Sequence, residues 1–151
     1  MIVKTPEILL VEDDPQEVEL ALFVLDKCPG IKNIQVVRDG EEALDFVFCA
    51  GKYAHRTFEN PPRVVFLDLK LPKVDGVQVL RQIKADPRTR NIPVVALTSS
   101  NEQRDLSECY RLGLNSYVQK PVNFEEYQKM VKSLSSYWLD VNEVSSAPPP
   151  A

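Results

Sequence analysis

Five short apolar runs alternate with stretches of helical pattern, and no other feature limits the fold so strongly. The runs are Ile8-Leu9-Leu10-Val11, Ile34-Gln35-Val36-Val37, Val64-Val65-Phe66-Leu67, Val94-Val95-Ala96-Leu97 and Ser116-Tyr117-Val118-Gln119. The first, third and fourth are apolar throughout, as expected of strands covered on both faces of a parallel sheet. The second and fifth are more polar and suit the edges. Between the runs lie helix start signals. Asp14-Pro15-Gln16-Glu17 offers an N-cap, a proline at the first helical position and a capping-box glutamate. Asp39-Gly40-Glu41-Glu42 and Asn123-Phe124-Glu125-Glu126 repeat the theme, Ser100-Asn101-Glu102-Gln103 opens a helix, and Gly113 ends it as C′. Gly76 to Ala85 carries Val79, Leu80 and Ile83 at helical spacing.

The order is (βα)5. Right-handed crossovers make it an α/β doubly wound five-stranded parallel sheet, order 2-1-3-4-5, flavodoxin-like in winding. At 151 residues the chain reads as one domain, 1–138, followed by a Ser- and Pro-rich tail, 139–151, expected to fray. Gly51 to Pro62 is a long connection, at the upper end for a compact domain.

A net charge of -4 argues against a nucleic-acid binder. No run approaches a membrane span, and Met1 to Glu7 has no signal-peptide core. Cys28, Cys49 and Cys109 are odd in number and lack zinc spacing, which fits reduced thiols packed in a cytoplasmic protein. His55, the single histidine, reads as an exposed residue of the long connection.

Polar residues cluster at the carboxyl ends of the runs, where open α/β sheets bind ligands. Run one ends in Glu12-Asp13-Asp14, run three in Asp68, run four in Thr98 and run five in Lys120. Asp14 is assigned to capping. Glu12, Asp13 and Asp68 then face one crevice. Like charges so close are relieved by a hard divalent cation, Mg²⁺ or Mn²⁺, which takes oxygen ligands and keeps several waters. Asp13 and Asp68 are expected as direct ligands and Glu12 through water. A carboxylate is also a nucleophile toward phosphorus, with Thr98 and Lys120 placed to meet phosphoryl oxygens. Each piece alone has a bland reading as a cap, a turn or a loop. Four together at four strand ends do not.

These residues resemble the receiver domain of a two-component response regulator. The resemblance runs from Glu7 to Tyr137 and rests on Leu9 to Asp14, Leu67-Asp68-Leu69-Lys70-Leu71-Pro72, Asp75-Gly76, Thr98-Ser99 and Tyr117-Val118-Gln119-Lys120-Pro121. Thr98 lies 30 and Lys120 lies 52 residues beyond Asp68, as in the family. The resemblance implies Asp68 as phosphoacceptor and the Lys70 backbone carbonyl as a further metal ligand. Thr98 and Tyr117 become a switch pair, Lys120 stabilises the phosphorylated state, and Lys120–Pro121 is expected to be cis. Lys70 and Ser100 lie where the family tunes dephosphorylation. The long connection, Leu71-Pro72-Lys73 and the aromatic end Tyr137-Trp138 are similar to the stand-alone regulators of bacterial phytochrome kinases, especially cyanobacterial ones.

The implied function is signalling. A sensor histidine kinase, phytochrome-type, donates the phosphoryl group, and the surface of the fourth helix, fifth strand and fifth helix signals to an unknown downstream protein. Catalysis is limited to the chain's own phosphorylation and dephosphorylation. An aspartate-nucleophile phosphatase of haloacid dehalogenase type is the alternative. It needs a second acid where Lys70 stands. A flavodoxin-like FMN binder is rejected because Glu12-Asp13-Asp14 would repel its phosphate. A phosphate-independent binding module is disfavoured because every required residue is present. Phe124, Tyr127, Met130, Val131, Leu134, Tyr137 and Trp138 make the last helix apolar on two stripes. That is a wide core face or the seam of a homodimer.

Overall fold

The computed structural model describes residues 7–31, 33–99 and 101–145. Its strands are β1 (Ile8–Val11), β2 (Ile34–Val37), β3 (Val64–Leu67), β4 (Val94–Thr98) and β5 (Ser116–Gln119). Its helices are α1 (Pro15–Asp26), α2 (Gly40–Val47), α3 (Gly76–Ala85), α4 (Gln103–Leu112) and α5 (Phe124–Ser136). All pairings are parallel, in the order β2-β1-β3-β4-β5. The three apolar runs are the inner strands, buried at every position, and the two more polar runs are the edges.

Alternation along the strands builds two cores. Leu9, Val11, Val65, Leu67, Val94 and Ala96 pack with α2, α3 and α4. Ile8, Leu10, Val64, Phe66, Val95 and Leu97 pack with α1 and α5. Register fixes both, since a slip of one residue would exchange the faces. The edges are blunted by side chains. The Tyr110 hydroxyl accepts the Tyr117 N–H at 3.1 Å, and the Gln35 amide donates to the Val36 carbonyl at 3.2 Å.

Most caps form as expected, with informative differences. Asp14 accepts the Gln16 N–H at 2.9 Å, Asp39 the Glu42 N–H at 2.7 Å and Asn123 the Glu126 N–H at 3.2 Å. Gly113 closes α4 at φ 108°. The α1 capping box does not close through Glu17. Glu12 Oε1 instead accepts the Asp14 N–H at 3.2 Å, while Glu17 Oε2 turns to within 3.8 Å of Lys120. An ammonium on the other side of the strand ends outcompetes a backbone donor. At α4 the cap is Glu102, without a side-chain cap bond.

The long connection is ordered, not a bare loop. A 3₁₀ turn, Gly51–Tyr53, buries Tyr53 edge-on against Phe46 at 4.9 Å. The Tyr53 hydroxyl donates to Glu42 at 2.8 Å. Arg56 lies over the Phe46 ring at 3.7 Å, a cation–π contact. At the end of α3, Lys84 donates to the Arg90 and Ile92 carbonyls and to Asn115 Oδ1 at 3.0, 2.8 and 3.0 Å. No carboxylate joins it there among the described residues, and burial pushes this amine down to about 8.

The last helix does not stop at 138. It runs on through one widened π turn, Tyr137–Val141, and Arg63 before β3 donates to the Asn142 carbonyl at 3.3 Å. Tyr127, Val131 and Trp138 are buried in the chain's own core, so these three do not line a surface. Met130 and Leu134 are half-buried against the same cluster. Phe124 and Tyr137 stay exposed as separate rings, which is ordinary on a surface helix. Tyr127, Val131, Leu134 and Trp138 recur at steps of four, three and four, so one regular helix face covers the sheet. Among the described residues, no helix is long and apolar enough to cross a membrane.

Candidate functional site

The carboxyl ends of β1, β3 and β5 deliver Glu12, Asp13, Asp68 and Lys120 to one place. Glu12 and Asp13 follow β1, and Asp68 follows β3, its neighbour across the reversal of strand order. Val11 pairs with Leu67 in register, and the Asp68 N–H donates to the Val11 carbonyl at 3.0 Å. One carboxylate oxygen from each of Glu12, Asp13 and Asp68 lies within 4.8 Å of the other two. Glu12 is buried, Asp68 half-buried and Asp13 exposed. This graded row runs from the core to solvent.

Lys120, after β5, reaches across from the other side. Its ammonium is 2.8 Å from Glu12 Oε2, 3.6 Å from Asp68 Oδ2 and 3.8 Å from Glu17 Oε2. Its backbone N–H donates to the Thr98 carbonyl at 2.8 Å, which ties β5 to β4 at the site. Burial raises the Glu12 carboxyl to about 7, against the pull of Lys120. Burial also opposes the Lys120 ammonium. The Glu12 hydrogen bond and the charges of Asp68, Glu12 and Glu17 outweigh it and hold the amine above the ordinary lysine range.

Lys120 thus faces three acids, Glu12, Asp68 and Glu17. The oxygen set of Glu12, Asp13 and Asp68 fits a hard divalent ion. Both Glu12 oxygens already have partners, the Asp14 N–H and Lys120. Asp68 is partnered as well, its Oδ1 taking the Lys70 N–H and its Oδ2 lying 3.6 Å from Lys120, while Asp13 is open to solvent.

The loop after β3 is built for close approach. Asp68 Oδ1 accepts the Lys70 N–H at 3.2 Å, and the Gly76 N–H donates to the Leu69 carbonyl at 2.9 Å. A Cβ on Gly76 would lie 2.5 Å from the Asp68 carbonyl oxygen, so α3 starts this near Asp68 only with glycine there. Lys70 is exposed. A lysine at this position supplies no second acid of the phosphatase type.

Thr98 is buried at the end of β4. Tyr117 is half-buried on β5, paired with Ala96 and so two residues earlier in register than Thr98, and packs on the core that holds α2, α3 and α4. Ser99 is exposed. Ser100 lies outside the described residues. Pro121 departs from expectation. No peptide bond among the described residues is cis, so Lys120–Pro121 is trans. The trans form is favoured by about 0.5–1 kcal/mol in X–Pro bonds, and the Lys120 contacts to Glu12 and Thr98 form with it. Glu17 was missed as a site residue. Its place three after an N-cap gave it a complete local explanation, and only the fold brings Lys120 near.

Comparison with known proteins agrees with this geometry. Residues 8–132 match the response regulator receiver domain model. The chain is 41% identical over 135 residues to the probable methanogenesis regulatory protein FilR2 of Methanothrix harundinacea, covering 89% of this chain and 84% of FilR2. It is 38% identical over 142 residues to the response regulator Rcp1 of Synechocystis, covering 93% of each chain. The Mn(2+)-bound form of Rcp1 superimposes with a TM-score of 0.84 over 93% of this chain and 99% of that one. The phosphorylated cyanobacterial phytochrome response regulator RcpA superimposes with a TM-score of 0.87 at 34% identity, over 95% of this chain and 100% of that one. With its five-stranded order, its acidic crevice and a family match across most of its length, the chain belongs to the receiver domains of response regulators.

Proposed function

We propose that the chain accepts a phosphoryl group on Asp68 from a histidine kinase, with a divalent cation, and signals by a change of surface. The convergence of Glu12, Asp13 and Asp68 opposite Lys120 carries this reading. An Asp68 oxygen attacks phosphorus, an acyl phosphate forms, the bond to the donor breaks, and the leaving nitrogen or oxygen keeps the electron pair. Lys120, held by Glu12 at the rim of Asp68, is placed to bind a phosphoryl oxygen. Thr98 is placed to donate its hydroxyl to another. Asp13, Asp68 and the Lys70 backbone carbonyl would hold Mg²⁺ or Mn²⁺, and Glu12 would act through water. When bound, such an ion neutralises phosphoryl oxygens. The existence of a Mn(2+)-bound form of the relative Rcp1 supports this ion class.

The switch would run through Thr98 and Tyr117. A Thr98 hydroxyl drawn toward the phosphoryl group vacates space, and Tyr117 is positioned to pack inward. The readout is then the surface of α4, β5 and α5, where Tyr110 on α4 already grips the Tyr117 N–H. The likeness to Rcp1 and RcpA supports a phytochrome-type kinase as donor. Lys70 is the exposed side chain at the mouth of the site and is assigned to control of phosphoryl lifetime.

The test is a titration with Mg²⁺ and beryllofluoride, which mimics an aspartyl phosphate, followed by amide NMR. Wild type should shift at Thr98, Tyr117 and Lys120, and Asp68→Asn should not. Asp13→Ala should weaken Mg²⁺ binding before beryllofluoride is added. A wild-type spectrum that ignores both reagents would remove the reading.

A further inference from the structure

The start of α2 touches the acceptor loop more closely than its own function as a helix requires. The Gly40 N–H donates to the Pro72 carbonyl at 3.3 Å. A Cβ on Gly40 would lie 1.8 Å from the Val74 carbonyl oxygen and 2.6 Å from its carbonyl carbon. Real atoms never come that near, and the obstacle is backbone, so no rotamer relieves it. Asp39, while capping α2, also lies 3.6 Å from the Lys73 ammonium. Lys73 sits at φ 66°, a left-handed conformation that is rare for a side chain this long. Leu71 and Val74 pack against the core cluster that contains Ala43 and Phe46 of α2.

All these contacts fall on residues 71–74, between Asp68 and the anchor of the loop at Gly76. Gly76 fixes the far end of the loop through the Leu69 carbonyl. Its middle is fixed by α2. The Lys70 carbonyl, one residue from this clamped stretch, has no freedom that the clamp does not set.

We infer that the Asp39–Gly40 corner is a positioning element for the acceptor loop, setting where the Lys70 carbonyl stands and hence how tightly the site holds a divalent cation. This rests on the proposed reading of Glu12, Asp13 and Asp68 as a cation and phosphoryl site. Neither residue touches the ion, so they act through the loop. Coupling of this kind is reciprocal. An ion that orders the loop must also tighten the Gly40 hydrogen bond.

Two measurements test this on the full chain. Mg²⁺ and Mn²⁺ are each titrated alone into wild type and Gly40→Ala, with circular dichroism to confirm that both are folded. The affinity should fall about tenfold in Gly40→Ala, the low end of the effect of removing support behind a metal ligand. In wild type, saturating Mg²⁺ should slow exchange of the Gly40 amide several-fold and leave the Gly113 amide, at the end of α4, unchanged. Where Gly40→Ala fails to fold, the exchange measurement decides alone. Tight binding by both proteins with an unresponsive Gly40 amide would overturn the positioning role and leave the site intact. A wild type that binds neither ion overturns the site, and the positioning role with it.

Discussion

Replacing Trp138 with alanine tests whether the aromatic end of the last helix belongs to the core or to a seam between chains. The indole is 8% exposed and packs with Ile8, Val64, Phe66 and Val131 in the cluster under α1 and α5. A tryptophan buries up to about 250 Å², at roughly 25 cal/mol per Å². Nearly complete burial therefore sets an upper limit of about 6 kcal/mol. Compactness of the unfolded chain removes about 10–40% of this. Loss of the edge-on contact with Tyr137, whose ring centroid is 4.9 Å away, adds about 0.5–1.5 kcal/mol. The expected cost is about 4–6 kcal/mol, at the upper end of the usual range for a buried tryptophan. Urea unfolding of wild type and Trp138→Ala, at low and high protein concentration, measures it. Tyr137→Ala, at an exposed position, should cost about 1 kcal/mol. A Trp138→Ala cost below about 1 kcal/mol would refute the packing argument. So would a cost that grows with protein concentration, because the indole would then be buried between chains.

Lys84 predicts an unusual pH dependence. Its folded value is about 8 against 10.5 unfolded, so the unfolded chain holds more protons between these values and stability rises with pH in that window. The penalty is fully present below about 8, and Lys84→Met should flatten the slope seen in wild type by denaturant titration. An equal slope in both would sink the assignment. Gly113→Ala must hold a side chain at φ 108° and should lower stability by about 1–2 kcal/mol, measured by thermal unfolding. No loss would mean that α4 ends elsewhere. Thr98→Ala should still accept a phosphoryl group yet lose most of the Tyr117 amide shift, and a full shift would show that Thr98 is not the relay.

Much of this fold was written locally. Three wholly apolar runs can only be strands covered on both faces, and the two polar ones had to be edges. The site was legible for a related reason. Strand ends in a parallel sheet all face one way, so Glu12, Asp13, Asp68, Thr98 and Lys120 could be brought together on topology alone. What escaped was decided by distant partners. Glu17 looked like a capping residue until Lys120 arrived from the far end of the chain. Tyr127, Val131 and Trp138 fell on one of two overlapping stripes, and local spacing does not say which of the two the sheet covers. Gly40 sat inside the helix-start signal Asp39-Gly40-Glu41-Glu42, and nothing in its neighbourhood announces the Val74 carbonyl. The Lys120–Pro121 isomer depends on the fit of the β5–α5 corner, to which the local sequence is indifferent.

The central claim is that Asp68 takes a phosphoryl group with the help of a divalent cation. Intact-mass analysis after incubation with acetyl phosphate tests it most directly, with Mg²⁺, with EDTA, and on Asp68→Asn. The account predicts one added phosphoryl group on wild type with Mg²⁺, and none with EDTA or with Asp68→Asn. An adduct that persists in EDTA or on Asp68→Asn would contradict it, as would a folded wild type that gains no mass from acetyl phosphate or from a phosphorylated histidine kinase.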